Sequence, residues 1–167
     1  MDFETVFDGV YPALFRYCQR LTGDADAAED VAQEAFIRFI ERDVEGELRG
    51  VRVWLFKVAT HLIRDRARTT DNRRRLLTAN PVVPSGGLRP DQVAERNERI
   101  QEVRRVLDTL TPRDKEMLLM REEGFSYREV ADAVGVAHTS VGTLLVRAQT
   151  RFAEAYQTMT EADETSG

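Results

Sequence analysis

Residues 127–148 read YREVADAVGVAHTSVGTLLVRA, and the spacing of their small and apolar side chains predicts two short helices that meet at a tight turn. Ala131 is small enough for the two helices to touch, and Gly135 permits the turn four residues later. The apolar residues expected to fill the angle are Val130, Val134, Val136, Val141 and Leu144. This pattern is typical of a helix-turn-helix, whose second helix enters the major groove of DNA. A plain helical hairpin with a glycine turn is the alternative.

Helical periodicity continues on both sides of this motif, and no segment alternates with the period of a strand. The expected boundary residues are Gly23 as a C-cap, Asp26 with Glu29 as a capping box, Thr111 before Pro112 as an N-cap, and Ser126 with Glu129 as a second capping box. Pro12 is expected to kink the first helix or to mark its start. The last helix is expected to run from about His138 to Tyr156, with a frayed acidic tail beyond it.

The stretch NRRRLLTANPVVPSGGLRPD, residues 72–91, contains three prolines and two glycines and has no sustained period. Such a composition is typical of an interdomain linker. We therefore predict an all-α protein made of two small helical domains joined by a flexible linker. The expected parts are a first domain at 1–72, the linker at 73–91, a second domain at 92–158 and a disordered tail at 159–167.

Charge is distributed unevenly along the chain, although the net charge is only −5. Residues 1–47 contain twelve acidic and four basic residues, whereas residues 49–75 contain nine basic and two acidic ones. This switch predicts one surface for a protein partner and another for phosphate groups, with ordinary solvated faces as the alternative. The basic stretch also contains His61 and Trp54, which can stack on an unpaired base. Trp54 lies on an apolar stripe, where a core position is more common.

Several classes of protein are disfavoured by the same sequence. The chain has no apolar run of about 18 residues, and its N-terminal residues are acidic where a signal peptide is basic, so we expect a cytoplasmic protein. Cys18 is the only cysteine, which excludes an internal disulfide. The carboxylates near the start of the second helix lack an accompanying Glu-x-x-His pair and favour a partner-facing surface over catalysis. We expect no enzymatic activity, no metal and no cofactor.

Three blocks of the chain together resemble the extracytoplasmic-function sigma factors. They are AAEDVAQEAFIRFI at 27–40, WLFKVATHLIRDRAR at 54–68, and LDTLTPRDKEMLLMREEGFSYREVADAVGVAHTSVGTLLVRAQ at 107–149. The resemblance implies a sigma region 2 domain and a sigma region 4 domain that join core RNA polymerase and direct it to promoters. It leaves open whether an anti-sigma factor binds the chain.

The resemblance also implies roles for individual residues. Those implied to contact the β′ clamp helices of the polymerase are Asp26, Glu29, Asp30, Gln33, Glu34 and Phe36. Those implied to melt and hold the −10 element of promoter DNA are Arg49, Arg52, Trp54, Lys57, His61, Arg64 and Arg68. Those implied to read the −35 element are Arg128, His138, Thr139, Ser140, Thr143, Arg147 and Arg151, in a domain that also contacts the β flap.

The recognition helix departs from the family, whose members usually carry basic residues after the valine that corresponds to Val141. Here Gly142 and Thr143 follow that valine, so side chains for bidentate guanine contacts are missing. We therefore expect weak or altered recognition of the −35 element. Two other functions stay open: a dimeric helix-turn-helix regulator with a palindromic site, and a protein whose helix-turn-helix mediates only protein contacts.

Overall fold

The computed structural model describes residues 2–76 and 94–165, with side chains at 2–70 and 98–165. Within these ranges the chain is helical and contains no strand, which confirms the all-α prediction. The helices are α1 Phe3–Thr22, α2 Ala25–Glu41, α3 Leu48–Leu76, α4 Ala94–Asp108, α5 Pro112–Glu122, α6 Tyr127–Val134 and α7 His138–Thr165. The chain divides into two compact units, residues 1–86 with α1 to α3 and residues 87–167 with α4 to α7.

In the first unit each of the three helices packs against the other two. The buried side chains of α1 form one stripe and include Val10, Leu14 and Tyr17. The Tyr17 hydroxyl lies 2.8 Å from Thr60 Oγ1, and Thr60 in turn donates to the Phe56 carbonyl at 2.7 Å. Because the single Thr60 proton is used in this way, Tyr17 is the donor to Thr60. The buried hydroxyls therefore satisfy one another and fix α3 against α1.

The boundaries of α1 and α2 follow local chemistry, with one correction. Gly23 ends α1 at φ 75°, as predicted. The N-cap of α2 is Asp24 rather than Asp26, because Asp24 Oδ1 accepts from the backbone N–H of Asp26 at 2.9 Å. Gly23 turns the chain so that Asp24 is extended and can cap the helix, which places Asp26 in its first turn. Pro12 lies inside α1 and does not mark its start.

Helix α3 is longer than the sequence predicts at its C-terminal end. It begins at Leu48 and continues to Leu76, past the expected domain end at residue 72. The remainder of the predicted linker, residues 77–91, lies outside the described residues.

In the second unit, α7 packs against α4, α5 and α6. Thr111 and Ser126 are the N-caps of α5 and α6, and the Ser126–Glu129 capping box has both of its hydrogen bonds, so these predictions are confirmed. Gly135 forms the turn at φ 86°. The buried core residues include Val106, Met117, Met120, Phe125, Val130, Val134, Val141, Leu145 and Ala148. Leu144, expected in this core, is only half-buried.

The prediction of a disordered tail from residue 159 is wrong as far as Thr165, because α7 continues to that residue. No glycine or proline interrupts residues 157–165. Threonine hydroxyls bond back to helix carbonyls, as from Thr165 to Glu161 at 3.0 Å, and Gln157 Nε2 donates to Glu161 Oε1 at 3.3 Å. Contacts between residues four apart support the added turns. No helix of the described ranges is both long enough and apolar enough to span a bilayer.

Candidate functional site

The α2 acidic surface consists of Asp26, Glu29, Asp30, Gln33 and Glu34. The first four residues are exposed, and Glu34 is half-buried. Gln33 Nε2 donates to Glu29 Oε1 at 3.2 Å, while Glu34 Oε1 accepts from Arg38 Nε at 3.2 Å. These contacts lie within α2, so the carboxylates can exchange them for contacts with a partner at little cost. The structure thus groups five of the six residues expected to face a protein partner.

Phe36, the sixth residue of that expected set, lies in the core and is only 3% exposed. Its ring centroid lies 6.0 Å from that of Phe3, 5.2 Å from that of Phe7 and 6.0 Å from that of Tyr11. The expectation that Phe36 contacts a partner directly is therefore corrected. Three aromatic residues of α1 cover its ring, so Phe36 supports the acidic surface from below.

The α3 basic face carries Lys57, His61, Arg64 and Arg68, whose spacing of four, three and four residues places them along one side of the helix. Arg68 Nη2 lies 3.1 Å from Asp65 Oδ1, and both side chains are largely exposed. An ion pair of this kind contributes little stability. The Arg68 guanidinium can therefore leave Asp65 for a phosphate with little loss of free energy.

The N-terminal part of α3 places its candidate residues differently. Arg49 is exposed. Arg52 is half-buried, with its guanidinium carbon 5.6 Å from the centroid of the Phe56 ring. Trp54 is also half-buried, and its ring centroid lies 6.4 Å from that of Phe39. The indole therefore packs on the helical bundle with one part and leaves the other part accessible to a base.

Asp30 of the α2 acidic surface and Arg66 of α3 form an exposed pair between the two helices. Arg66 Nη2 lies 3.9 Å from Asp30 Oδ2, with side chains 49% and 65% exposed. A separation this long between exposed groups makes a weak ion pair. The opposed charges are therefore not buried against each other at this contact.

The start of α7 presents the expected groove-facing residues to solvent. His138, Thr139, Ser140, Thr143 and Arg147 are all exposed. Arg128 is exposed on α6, and together with His138 it lines a concave surface around the turn at Gly135. The structure therefore brings six of the seven residues expected to read the −35 element to α6 and the first turns of α7.

Arg151, the seventh, has a different position. Its Nη1 donates to Asp114 Oδ2 at 2.7 Å, and Asp114 is only 1% exposed. The Arg151 guanidinium therefore takes part in an ion pair that joins α7 to α5, and its contact with DNA stays a prediction. Helical periodicity does not reveal this pairing, because the two residues lie 37 positions apart.

A second feature that the sequence analysis missed is the environment of Gly142. A Cβ atom at this position would lie 3.5 Å from Tyr127 Cε2, so the glycine faces the Tyr127 ring. The guanidinium carbon of Arg121 lies 5.0 Å from the centroid of that ring, and Arg121 Nη1 donates to the Phe125 carbonyl at 2.7 Å. Gly142 is therefore part of the packing between α6 and α7. The sequence signal for this packing is the combination of a glycine in α7 and an aromatic residue, Tyr127, at the first position of α6.

The remaining reactive groups of the described ranges do not form a site. No set of three or more His, Cys, Asp or Glu side chains in those ranges is placed to hold a metal ion. Cys18 is buried, and its burial raises the pKa of the thiol to about 12. Desolvation, followed by the nearby charge of Glu29, raises the pKa of the Tyr11 hydroxyl.

Comparison with known protein families gives two matches in chain order. The model for Sigma-70 region 2 matches residues 6–73, and the model for Sigma-70, region 4 matches residues 100–151. The ECF RNA polymerase sigma factor SigL of Mycobacterium tuberculosis is 31% identical over 146 residues, which cover 84% of this chain and 80% of SigL. The ferric citrate uptake sigma factor FecI of Escherichia coli is 25% identical over 150 residues, 89% of this chain and 87% of FecI.

A solved structure has the same fold. It is the sigma factor RpoE of Bartonella quintana, determined in complex with the anti-sigma factor NepR. The TM-score is 0.74 at 21% sequence identity, over 93% of this chain and 97% of RpoE.

Proposed function

Because this chain belongs to the extracytoplasmic-function sigma factors, non-enzymatic proteins of promoter-specific transcription initiation, we propose that its two domains divide polymerase binding and promoter recognition between them. Residues 1–72 act as sigma region 2, which docks on core RNA polymerase and holds the −10 element. Residues 92–158 act as sigma region 4, which reads the −35 element and contacts the β flap. The segment between α3 and α4 tethers the two domains, so that two weak contacts act together.

The α2 acidic surface is the proposed contact with the β′ clamp helices. Its support is the row of exposed carboxylates and the Gln33 amide, whose present hydrogen bonds are short-range and exchangeable. Complementary charge on the clamp helices would speed the encounter and fix the orientation of docking. Phe36 contributes indirectly, since it holds α1 against α2.

The α3 basic face is the proposed contact with the −10 element. Separating the strands costs base stacking, and contacts to the single strand can recover part of that cost. Arg49, Arg52, Lys57, Arg64 and Arg68 supply positive charge for phosphates. His61 and the accessible part of Trp54 supply planar groups for an unstacked base. These groups belong to one helix, which can therefore follow a single strand.

The helix-turn-helix of α6 and α7 is the proposed reader of the −35 element. His138, Thr139, Ser140 and Thr143 face the groove, whereas Arg128 and Arg147 contact phosphates. Because the recognition helix offers no arginine to guanine at position 142 or 143, we propose that this domain binds mainly through the backbone and discriminates weakly among bases.

The structural neighbour RpoE is held by an anti-sigma factor. We propose that a protein of this functional class regulates the present chain in the cytoplasm. It would cover the α2 acidic surface or the α3 basic face and so prevent polymerase binding.

The observation that carries the proposal is the presence of an exposed acidic helix and a basic helix in one unit, with a helix-turn-helix in the other. The test is transcription in vitro with core RNA polymerase, genomic DNA and the full-length chain. We expect discrete transcript starts that core polymerase alone does not produce. A chain that binds DNA tightly by itself and never activates core polymerase would refute the proposal.

Two further measurements separate the alternatives. A dimer in solution that does not associate with core polymerase would indicate a helix-turn-helix regulator with a palindromic site. DNA binding that is weak and insensitive to salt would indicate that the motif mediates protein contacts, because phosphate contacts give a steep salt dependence.

A further inference from the structure

The helices α6 and α7 meet at a second place, away from the turn that joins them. Tyr127 lies at the first position of α6, eight residues before Gly135, and Gly142 lies four residues beyond the start of α7. At 1.5 Å per residue, these positions are about 12 Å from Gly135 along α6 and about 6 Å from the start of α7. A contact between them therefore restricts the angle between the two helices more than a contact beside the turn does.

This contact joins an aromatic ring to the backbone of α7. A Cβ atom at Gly142 would lie 3.5 Å from Tyr127 Cε2, so one Hα atom of the glycine points at the ring. Because glycine has no side chain, the ring lies beside the α7 backbone at this position. Tyr127 is 47% exposed, so burial in the core does not by itself fix the ring.

Arg121, near the end of α5, contacts the same ring. Its guanidinium carbon lies 5.0 Å from the centroid of the Tyr127 ring, within the range of a cation–π interaction. Its Nη1 donates a 2.7 Å hydrogen bond to the carbonyl of Phe125, a residue that is only 2% exposed. The planar guanidinium is thus fixed to the backbone of a buried residue while it lies over the ring.

The ring lies near the part of α7 that the proposed function assigns to the DNA groove. The assigned residues are within two turns of the start of α7: His138, Thr139, Ser140 and Thr143. They belong to one helix, so a change in the angle between α6 and α7 moves them together. Groups that recognise a ligand must be held to within about 0.5 Å of their productive positions, which makes this angle important for DNA binding.

We propose that Arg121 and Tyr127 are positioning residues for the −35 element. Arg121 holds the Tyr127 ring against Gly142, and the ring sets the angle at which α7 enters the groove. This proposal rests on the proposed function of the second unit and extends it to an arginine of α5, outside the helix-turn-helix. The tyrosine hydroxyl has no part in this arrangement, which distinguishes it from a direct contact with a phosphate.

The first test measures the affinity of the holoenzyme, formed from core polymerase and the full-length chain, for promoter DNA identified by transcription in vitro. Arg121→Gln removes the cation, and we expect Kd to rise about threefold. Tyr127→Leu removes the ring itself and should raise Kd further. Arg113→Gln is the matched control, because it removes the same charge from an exposed position of the same helix. The control should bind like the original chain.

Two further variants separate positioning from a direct contact with DNA. Tyr127→Phe keeps the ring and should restore the affinity that Tyr127→Leu loses. The double variant with Arg121→Gln and Tyr127→Leu should bind no worse than Tyr127→Leu alone, because Arg121 acts through the ring. A phosphate contact by Arg121 would instead make the two losses additive and reduce the salt dependence of binding.

A third measurement follows the ring in the full-length chain without DNA. The Hα atom of Gly142 that points at the ring should show a ring-current shift in the NMR spectrum. Arg121→Gln should reduce this shift, whereas Arg113→Gln should leave it unchanged. This measurement stands even if Tyr127→Leu proves unfolded by circular dichroism, because Arg121 is exposed and its replacement opens no core cavity.

Three results would overturn the positioning role and leave the proposed function intact: equal promoter affinity of Arg121→Gln and Arg113→Gln, additive losses in the double variant, or an unchanged Gly142 shift in Arg121→Gln. Promoter DNA cut just downstream of the −35 element tests the proposed function itself. The original holoenzyme should bind this shorter DNA less tightly than the full promoter. Equal affinity for the two DNAs would refute the proposed function of the second unit.

Discussion

Asp114 Oδ2 accepts a 2.7 Å hydrogen bond from Arg151 Nη1, and this ion pair joins α5 to α7. Asp114 is 1% exposed, and its other carboxylate oxygen, Oδ1, has no hydrogen-bond partner among the described residues. Arg151 is 53% exposed on its side chain. The pair is therefore asymmetric, because the buried carboxylate depends on the arginine far more than the arginine depends on the carboxylate.

Removing Arg151 should cost more stability than removing Asp114. Arg151→Ala leaves a buried charge without its partner, and we expect the free energy of unfolding of the second unit to fall by about 3 kcal/mol. Asp114→Ala leaves an arginine that water can solvate, so we expect a loss of about 1 kcal/mol. Hydrogen exchange of α5 and α7 peptides measures both changes.

The control for this pair is Arg147→Ala on the same helix, which should leave exchange unchanged and weaken DNA binding. If Arg151→Ala lost DNA affinity with unaltered exchange, Arg151 would instead be a DNA-contacting residue.

Gly142 offers a test of packing in the recognition helix. A Cβ atom added at Gly142 would lie 3.5 Å from Tyr127 Cε2, which is an ordinary contact distance. Gly142→Ala therefore fits and should raise helix stability by about 1 kcal/mol. A long side chain must displace the Tyr127 ring, so Gly142→Leu should lose that gain. Thermal unfolding of the two variants beside Thr143→Ala, which changes an exposed neighbour, measures the difference. A lower melting temperature for Gly142→Ala would show that the Tyr127 ring needs the open space.

Sequence patterns predict the local features of this fold, but they do not predict contacts between helices that are distant in sequence. The Ser126–Glu129 capping box and the Gly135 turn were predicted because both depend on residues a few positions apart. The pairing of Arg151 with Asp114 depends on how α5 and α7 pack, and helical periodicity carries no information about that contact. The same limit applies to the candidate interfaces. Helical spacing places the exposed polar residues on common faces, but it does not show which side chains pair with residues of other helices.

Phe36 illustrates the point for an apolar residue. Its neighbours in AAEDVAQEAF suggested a partner contact, but burial depends on the aromatic residues of α1, which precede Phe36 by 25 residues or more along the chain. A core position and a partner contact therefore predict different effects of the substitution Phe36→Ala.

Phe36→Ala should destabilise the first unit by about 3 to 5 kcal/mol, because it opens a cavity beneath the aromatic rings of α1. Asp30→Ala, on the exposed surface of the same helix, should change stability by less than about 0.5 kcal/mol and weaken polymerase binding. Urea unfolding followed by Trp54 fluorescence gives the first quantity, and affinity for core polymerase gives the second. If the Phe36→Ala protein kept full stability but lost polymerase binding, Phe36 would contact the polymerase directly, as the motif suggested.

Cys18 provides a chemical probe of the first unit. With its pKa raised to about 12 by burial, about one thiol in 10⁴ is ionised at pH 8, and the sulfur is also shielded from reagents. We expect negligible reaction with a thiol reagent at pH 8 in the folded chain and rapid reaction in urea. The Phe36→Ala variant should react sooner, because unfolding of the unit exposes the thiol. Rapid labelling of the folded original chain would show that the helices around Cys18 open readily.

The division of labour within the first unit can be tested with substitutions on its two charged surfaces. Arg64→Ala and Arg68→Ala remove positive charge from the α3 basic face, so promoter opening, measured by permanganate reactivity of unpaired thymines, should fall more than polymerase affinity. Asp30→Ala should do the reverse, because its carboxylate belongs to the α2 acidic surface. Asp65→Ala is the matched control for Arg68, since it removes only the other member of their exposed 3.1 Å pair and should leave opening intact or improved.

Parallel loss of both activities in all three variants would indicate unfolding, and circular dichroism would identify it. Loss of opening with Asp30→Ala at saturating polymerase would show that the exposed Asp30–Arg66 contact links the two surfaces.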